Sequence, residues 1–304
     1  MKQSDAITIN LSEYRKAVAK RRKGFIQDVL IVVFGTVFIV CALELLFYYG
    51  GSFRYRKSMK KVTGAIGGGI AEDAAQKSEE ERRTNHDVVV FPDEAEHELV
   101  GYVSRFPDEI TDVWKEKYAY LSGFNKDCFG YIEIPGTILS WPVMFTPENY
   151  EHYLYRNFSN QYEQRGLPFI DRETKPGLSQ NYLMYGHNMN DGMNFGTLRN
   201  YLKYSYYEEH PYVYFNTALS EGIYQIMYVC RSRIYGVDED CFKYYNYAGI
   251  LSENEFRTYV REMEQIALYT TGISAEWGDE LLTLSTCDHY VEDGRLVIVC
   301  KRIQ

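Results

Sequence analysis

Residues 280–303 read ELLTLSTCDHYVEDGRLVIVCKRI, and this stretch decides the fold. Leu281, Leu282 and Leu284 with the threonines Thr283 and Thr286 mark a strand from Glu280 to Cys287, entered through the turn-forming pair Gly278-Asp279. Arg295 to Ile303 is a second strand, and Asp293-Gly294 just before it is a strong hairpin signal. Antiparallel pairing brings the end of the first strand beside the start of the second, about 5 Å away across the ladder. Cys287 and Arg295 then flank one site. Upstream, Asn181 to Tyr185 forms a third apolar run, followed by Gly186, His187 and a loop rich in Asn, Gly and Met. One thiol, one imidazole and one guanidinium therefore stand at strand ends that can meet at one edge of a sheet.

These are the groups that acyl transfer through a thioester requires. A thiol with a pKa of about 8.5 in contact with an imidazole near 6.5 can share a proton close to neutrality and present some thiolate. Attack on an amide carbonyl puts negative charge on oxygen, which a fixed donor stabilises by roughly 3–4 kcal/mol. A guanidinium suits that task because it keeps its charge and carries several donors in a rigid fork. The departing amine must leave protonated, and an imidazolium supplies the proton. Taken singly, each residue has a plainer reading: a small buried hydrophobe for Cys287, a backbone-bonded loop histidine for His187, a solvated strand residue for Arg295. It is their combination in these contexts that points to chemistry.

TLSTC (Thr283 to Cys287) with an arginine eight residues on, and YGHNMNDGMNFGTLRNY (Tyr185 to Tyr201), resemble the signature segments of sortases, most closely the class B branch. GYIEIPGTILSWPVMF (Gly130 to Phe145) and GLPFIDRE (Gly166 to Glu173) resemble the opening strands of that domain, so the resemblance covers roughly Asp108 to Gln304. It implies that Cys287 is the nucleophile, His187 the catalytic histidine and Arg295 the essential arginine. It further implies substrate-binding roles for Tyr185, Ser285 and Thr286 near the thiol, with Asn149 as a candidate from the segment after the second strand. The implied reaction needs no cofactor and no structural metal. It is a two-step transpeptidation: cleavage after the threonine of a carboxyl-terminal sorting signal, then transfer to an amine of a peptidoglycan precursor, anchoring surface proteins to a Gram-positive type of cell wall. Related outcomes are polymerisation of pilins through a lysine, hydrolysis as in a cysteine peptidase, and a membrane-tethered scaffold without catalysis.

The expected fold is mainly β, an eight-stranded closed barrel with peripheral helices. Its strands lie near Gly130–Ile134, Trp141–Phe145, Leu167–Asp171, Asn181–Tyr185, Tyr212–Asn216, Gly222–Ile234, Glu280–Cys287 and Arg295–Ile303. Apolar residues at helical spacing predict helices over Asp108 to Ser122 and Ser252 to Tyr269. The 29 tyrosines suit strands and need no special function.

Phe25 to Tyr49 is an apolar run with Asp28 and Glu44 near its ends, which as a helix reaches about 37 Å and spans a hydrocarbon core of about 30 Å. The chain is thus expected to divide into a cytoplasmic basic tail (1–24), a transmembrane helix (25–49), a juxtamembrane and linker segment (50–107) and a catalytic domain (108–304) outside the cell. Basic residues flank the run on both sides, so charge alone barely orients it; the family resemblance implies an external carboxyl-terminal domain. Thr63 to Asn85, with Gly67-Gly68-Gly69 and then QKSEEERR, has the texture of a tether. Residues 1–61 carry a net +8 and the rest a net −17, which excludes a nucleic-acid partner for the external domain because phosphate binding requires a basic face. Cys128, Cys230, Cys241 and Cys300 show no metal-ligand spacing, and their spacing leaves bridging open.

Overall fold

The computed structural model describes residues 11–63 and 110–304. The chain divides into two compact units, parting at Ser58 and Met59. The boundary falls inside one long helix, α1 (Leu11–Thr63), which runs well past the expected end at Tyr49. Among the described residues one helix, Ala19–Leu46 within α1, is long and apolar enough to cross a membrane by length and composition. Among the side chains described there, the large apolar ones lie open, Ile31, Phe34 and Phe38 all being more than two thirds exposed. The hydroxyl of Thr36 donates back to Val32 O and Val33 O of its own helix, so the polar group adds no unmet donor to that apolar surface. Apart from Thr63, the expected tether lies outside the described residues.

The second unit is a closed barrel of eight strands: β1 (Cys128–Glu133), β2 (Ser140–Met144), β3 (Phe169–Ile170), β4 (Asn181–Tyr185), β5 (Tyr212–Thr217), β6 (Glu221–Arg233), β7 (Leu281–Cys287) and β8 (Gly294–Arg302). The order around the barrel is β1-β2-β3-β4-β7-β8-β6-β5, with β5 closing on β1. β2–β3 and β4–β7 pair in parallel and all other neighbours antiparallel. All eight expected strands are present; β3 is the shortest, because Leu167 and Asp171 sit outside the ladder that Phe169 and Ile170 make with Met184 and Tyr185.

Period-two alternation sends the two faces of β7 to different neighbours. Leu281 and Thr283 share a face with Val297 and Val299 of β8 and Leu183 of β4. That face is covered by α4 (Glu253–Gln265) through Phe256, Tyr259 and Met263, and by Tyr244. Because a helix packs there, this is the outside of the barrel wall, and Leu282, Leu284 and Thr286 point inward. The Tyr259 hydroxyl meets Thr283 Oγ1 at 2.6 Å, and Thr283 Oγ1 in turn donates to Asn181 Oδ1 at 2.9 Å. α4 starts where Ser252 and Glu255 form a reciprocal capping box. It stops four residues short of the expected Tyr269, because the chain there turns to pair with β6: Ala267 bridges to Cys230 and Leu268 N–H donates to Val229 O.

Two further α-helices of this unit lie among the described residues. α2 (Asp112–Phe124) begins later than expected because Thr111 caps it, accepting from Trp114 N–H at 3.2 Å. Trp114 is buried and its indole N–H donates to Thr217 O, docking α2 on β5. α3 (Tyr204–Glu209) is a short turn before β5. Cys128, Cys230, Cys241 and Cys300 are all free thiols, which answers the bridging question; Cys41 and Cys287 are free as well. Burial pushes the Cys128 thiol up to about 12.

Candidate active site

The β7–β8 hairpin places the thiol and the guanidinium. Cys287 and Arg295 are direct register partners. Asp288 N–H donates to Gly294 O at 2.9 Å, one step beyond them, and Arg302 N–H donates to Glu280 O at the far end of the ladder. Alternation along an antiparallel ladder then makes Cys287 and Arg295 a non-hydrogen-bonded pair, the closer kind, with Cα atoms about 4.5 Å apart and side chains on one face. Gly294 makes this turn feasible, since a Cβ there would lie 2.1 Å from Asp288 O. Arg295 Nη1 donates to Asp293 O and Gly294 O, at 3.1 and 2.9 Å, which leaves the Nη2 and Nε hydrogens for other acceptors. The loop itself is pinned by Asp288, whose carboxylate accepts from Arg231 Nε at 2.8 Å, while the Arg231 guanidinium lies 4.8 Å over the Tyr290 ring.

β4 runs parallel to β7 with Tyr185 opposite Ser285, so His187 emerges just past the residue that neighbours the thiol strand's end. Its ring is half-buried. Nε2 lies 2.9 Å from Leu154 O, and a carbonyl only accepts, so Nε2 carries the hydrogen and the neutral ring leaves Nδ1 free to take a proton. The Tyr155 ring packs at 5.3 Å from the imidazole. Burial lowers the pKa of His187, partly offset by the Leu154 bond. Leu154 and Tyr155 come from the excursion between β2 and β3, which turns back at Gly166; with φ +54° and a would-be Cβ 2.1 Å from Leu154 O, that position admits no side chain.

The expected substrate-binding residues separate. Tyr185 is half-buried and donates its hydroxyl to Asp171 Oδ2 at 2.9 Å, within an aromatic group that includes Phe169 and Tyr150. Ser285 shares the face of Cys287 but is buried, its hydroxyl 2.7 Å from Tyr244 OH. Thr286 lies on the inward face, buried, and donates to Gly186 O at 2.7 Å. Asn149 sits exposed on the turn Pro147–Asn149, where its N–H donates to Thr146 O and its carbonyl accepts from Thr146 Oγ1. A cavity of about 310 Å³ lined by Thr137, Gly192, Arg199 and Tyr206 contains none of these residues.

Two contacts escaped the sequence reading. Asn188 Nδ2 donates to Cys287 O at 2.7 Å, tying the histidine loop to the thiol strand. Tyr244, from the connection between β6 and β7, has its pKa raised to about 12 by burial; its Ser285 bond and Arg295 pull the other way, and Cys287 adds to the rise. Tyr244 is thus within electrostatic reach of both candidate groups. Neither residue carries a spacing signal, because both act through chain separations of dozens of residues.

A family model described as the Sortase domain matches residues 132–303, more than half of the chain. The chain belongs to the sortase family. Its relatives put it on the class B branch: sortase B of Listeria monocytogenes is 31% identical over 200 residues, 64% of this chain and 74% of that protein. A solved Staphylococcus aureus sortase B–substrate complex is 26% identical with a TM-score of 0.55, covering 62% of this chain and 86% of the other. A sortase B complexed with triglycine is 25% identical, with TM-score 0.55 and the same two coverages of 62% and 86%. This sortase is accordingly a cysteine transpeptidase that anchors or processes surface proteins.

Proposed function

We propose that Cys287, His187 and Arg295 carry the reaction, with the direct pairing of Cys287 and Arg295 across the β7–β8 ladder as the observation that supports it most. The Cys287 thiolate attacks the carbonyl carbon after a threonine in a carboxyl-terminal sorting signal, forming a C–S bond and an oxyanion. The Arg295 hydrogens not engaged with Asp293 O and Gly294 O are assigned to stabilise that oxygen's charge. Collapse breaks the C–N bond, and the leaving amine takes a proton from the His187 imidazolium. A second amine, from a peptidoglycan precursor, attacks the thioester, His187 accepts its proton, and sulfur departs as thiolate.

The relative solved with triglycine supports an amine of glycine type as acceptor in this family, and the relative solved with substrate supports a peptide donor. The exposed apolar helix Ala19–Leu46 supports a single-pass anchor in the cell membrane; the placing of the basic tail inside and the barrel outside rests on the family resemblance. We read the chain's organisation accordingly, as tail, span, linker and catalytic domain.

The test is a panel of quenched peptides bearing threonine-containing sorting motifs, incubated with the full chain in detergent with and without amines. Cleavage that disappears in Cys287→Ala and falls at least about 10²-fold in Arg295→Ala is expected. Cleavage undiminished in Cys287→Ala refutes the assignment.

A further inference from the structure

Two side-chain hydrogen bonds cross in opposite directions between the segment carrying His187 and the strand ending in Cys287. Thr286, one residue before the thiol, donates its hydroxyl to Gly186 O, one residue before the imidazole, at 2.7 Å. Asn188, one residue after the imidazole, donates Nδ2 to Cys287 O at 2.7 Å. A carbonyl only accepts, so the orientation of the Asn188 amide is fixed by this bond. Its Oδ1 is then turned away, buried, with no hydrogen-bond partner among the described residues.

An amide that makes one bond and leaves its other end buried and unbonded contributes little to stability, since the unmet acceptor opposes the bond that is made. What the arrangement does supply is register. Asn188 bridges to Asn194, Phe195 N–H donates to His187 O at 3.0 Å, and Asn194 Nδ2 donates to Arg165 O at 2.9 Å, so the loop behind Asn188 is itself braced. The Asn188 bond transmits that bracing to the backbone of the residue that bears the thiol.

We propose that Asn188 is a positioning residue for acyl transfer, holding the Cys287 thiol and the His187 ring in reacting register through the Cys287 carbonyl, with the Thr286–Gly186 bond as its counterpart. The proposal rests on the reading of Cys287 as nucleophile and His187 as acid and base. A misplacement of about 1 Å between reacting groups costs on the order of 10²-fold in rate, so loosening one clasp is felt in kcat.

The test compares the full chain with Asn188→Ala, Asn188→Leu, Thr286→Val and Thr286→Ser. Asn188→Leu keeps the approximate volume while removing both the donor and the unmet acceptor. Expected is a fall in kcat of about 10-fold or more for both Asn188 variants, with KM for peptide within about twofold and Tm unchanged or raised. Thr286→Ser, which keeps the hydroxyl, retains activity that Thr286→Val loses. Alkylation at Cys287, followed across pH by site-resolved mass spectrometry, shifts its midpoint in the Asn188 variants, while the exposed Cys241 in the same samples keeps its profile. Asn188 variants with wild-type kcat and an unmoved Cys287 profile overturn the proposal, as does a loss of kcat that tracks a loss of Tm. A wild-type chain whose Cys287 resists alkylation and cleaves no peptide refutes the nucleophile assignment on which the proposal rests.

Discussion

At the scale of single residues, the arrangement separates charge from geometry. Arg295→Lys keeps a cation beside Cys287 but loses the planar fork, and steady-state assays are expected to show kcat/KM lower by about 10²–10³-fold. His187 offers a sharper physical check. Burial lowers its pKa from the usual value near 6.5, so the fold opposes charging the ring. The unfolded chain therefore binds more protons as pH falls below about 6.5, and stability linked to this ring declines until pH passes its lower folded midpoint. An NMR titration of the imidazole protons should place that midpoint below 6.5; a midpoint at or above 6.5 contradicts the burial argument. Cys287 beside Arg295 was legible in the sequence because an Asp-Gly hairpin fixes which residues face each other. The Leu154 carbonyl under His187 and the amide of Asn188 were not, because each depends on where a long connection returns in space.

At the scale of elements, the strands were legible to within about two residues at each end, since alternating β-branched and aromatic residues punctuated by Gly and Asp carry a local signal. Helix ends were less so. α2 starts at its Thr111 cap and α4 stops where Ala267 and Leu268 pair with β6; the second event is a tertiary contact that helical periodicity does not contain. The capping box of α4 is testable alone. Ser252→Ala removes an acceptor from the helix N-terminus and should cost about 1 kcal/mol, read as a lower Tm. The opposite element matters more to chemistry. Gly294→Ala forces a Cβ against the Asp288 carbonyl, so the hairpin must open at the foot of Arg295; activity is expected to drop more than Tm, and an active variant argues that the hairpin geometry is dispensable.

At the scale of the whole molecule, the neighbouring strands β6, β7 and β8 are tied together by a buried ionic group at the start of β7. Glu280 accepts from Tyr224 OH at 2.5 Å and from Arg302 Nη1 at 3.3 Å, and the side chains of Glu280 and Arg302 are only 6% and 2% exposed. Glu280→Ala leaves the Arg302 cation buried without that partner and should destabilise by about 3–5 kcal/mol, seen as a large fall in the denaturation midpoint. The barrel order and the two parallel pairings were not readable from strand positions, because they depend on which strands meet in space; the expectation of one closed eight-stranded barrel, carried by the family resemblance, is borne out. What the whole assembly achieves is to bring a thiol, an imidazole and a guanidinium to one rim, and the central claim is that the thiol carries the acyl group between two amines. The most direct measurement is intact-mass spectrometry of the full chain mixed with a cleavable sorting peptide, first without amine and then with it. The account predicts a mass increase equal to the peptide's amino-terminal part, mapped to Cys287, which disappears on adding amine as a peptide–amine product forms. A peptide cleaved with no adduct on Cys287, or an adduct that amine leaves untouched, contradicts it.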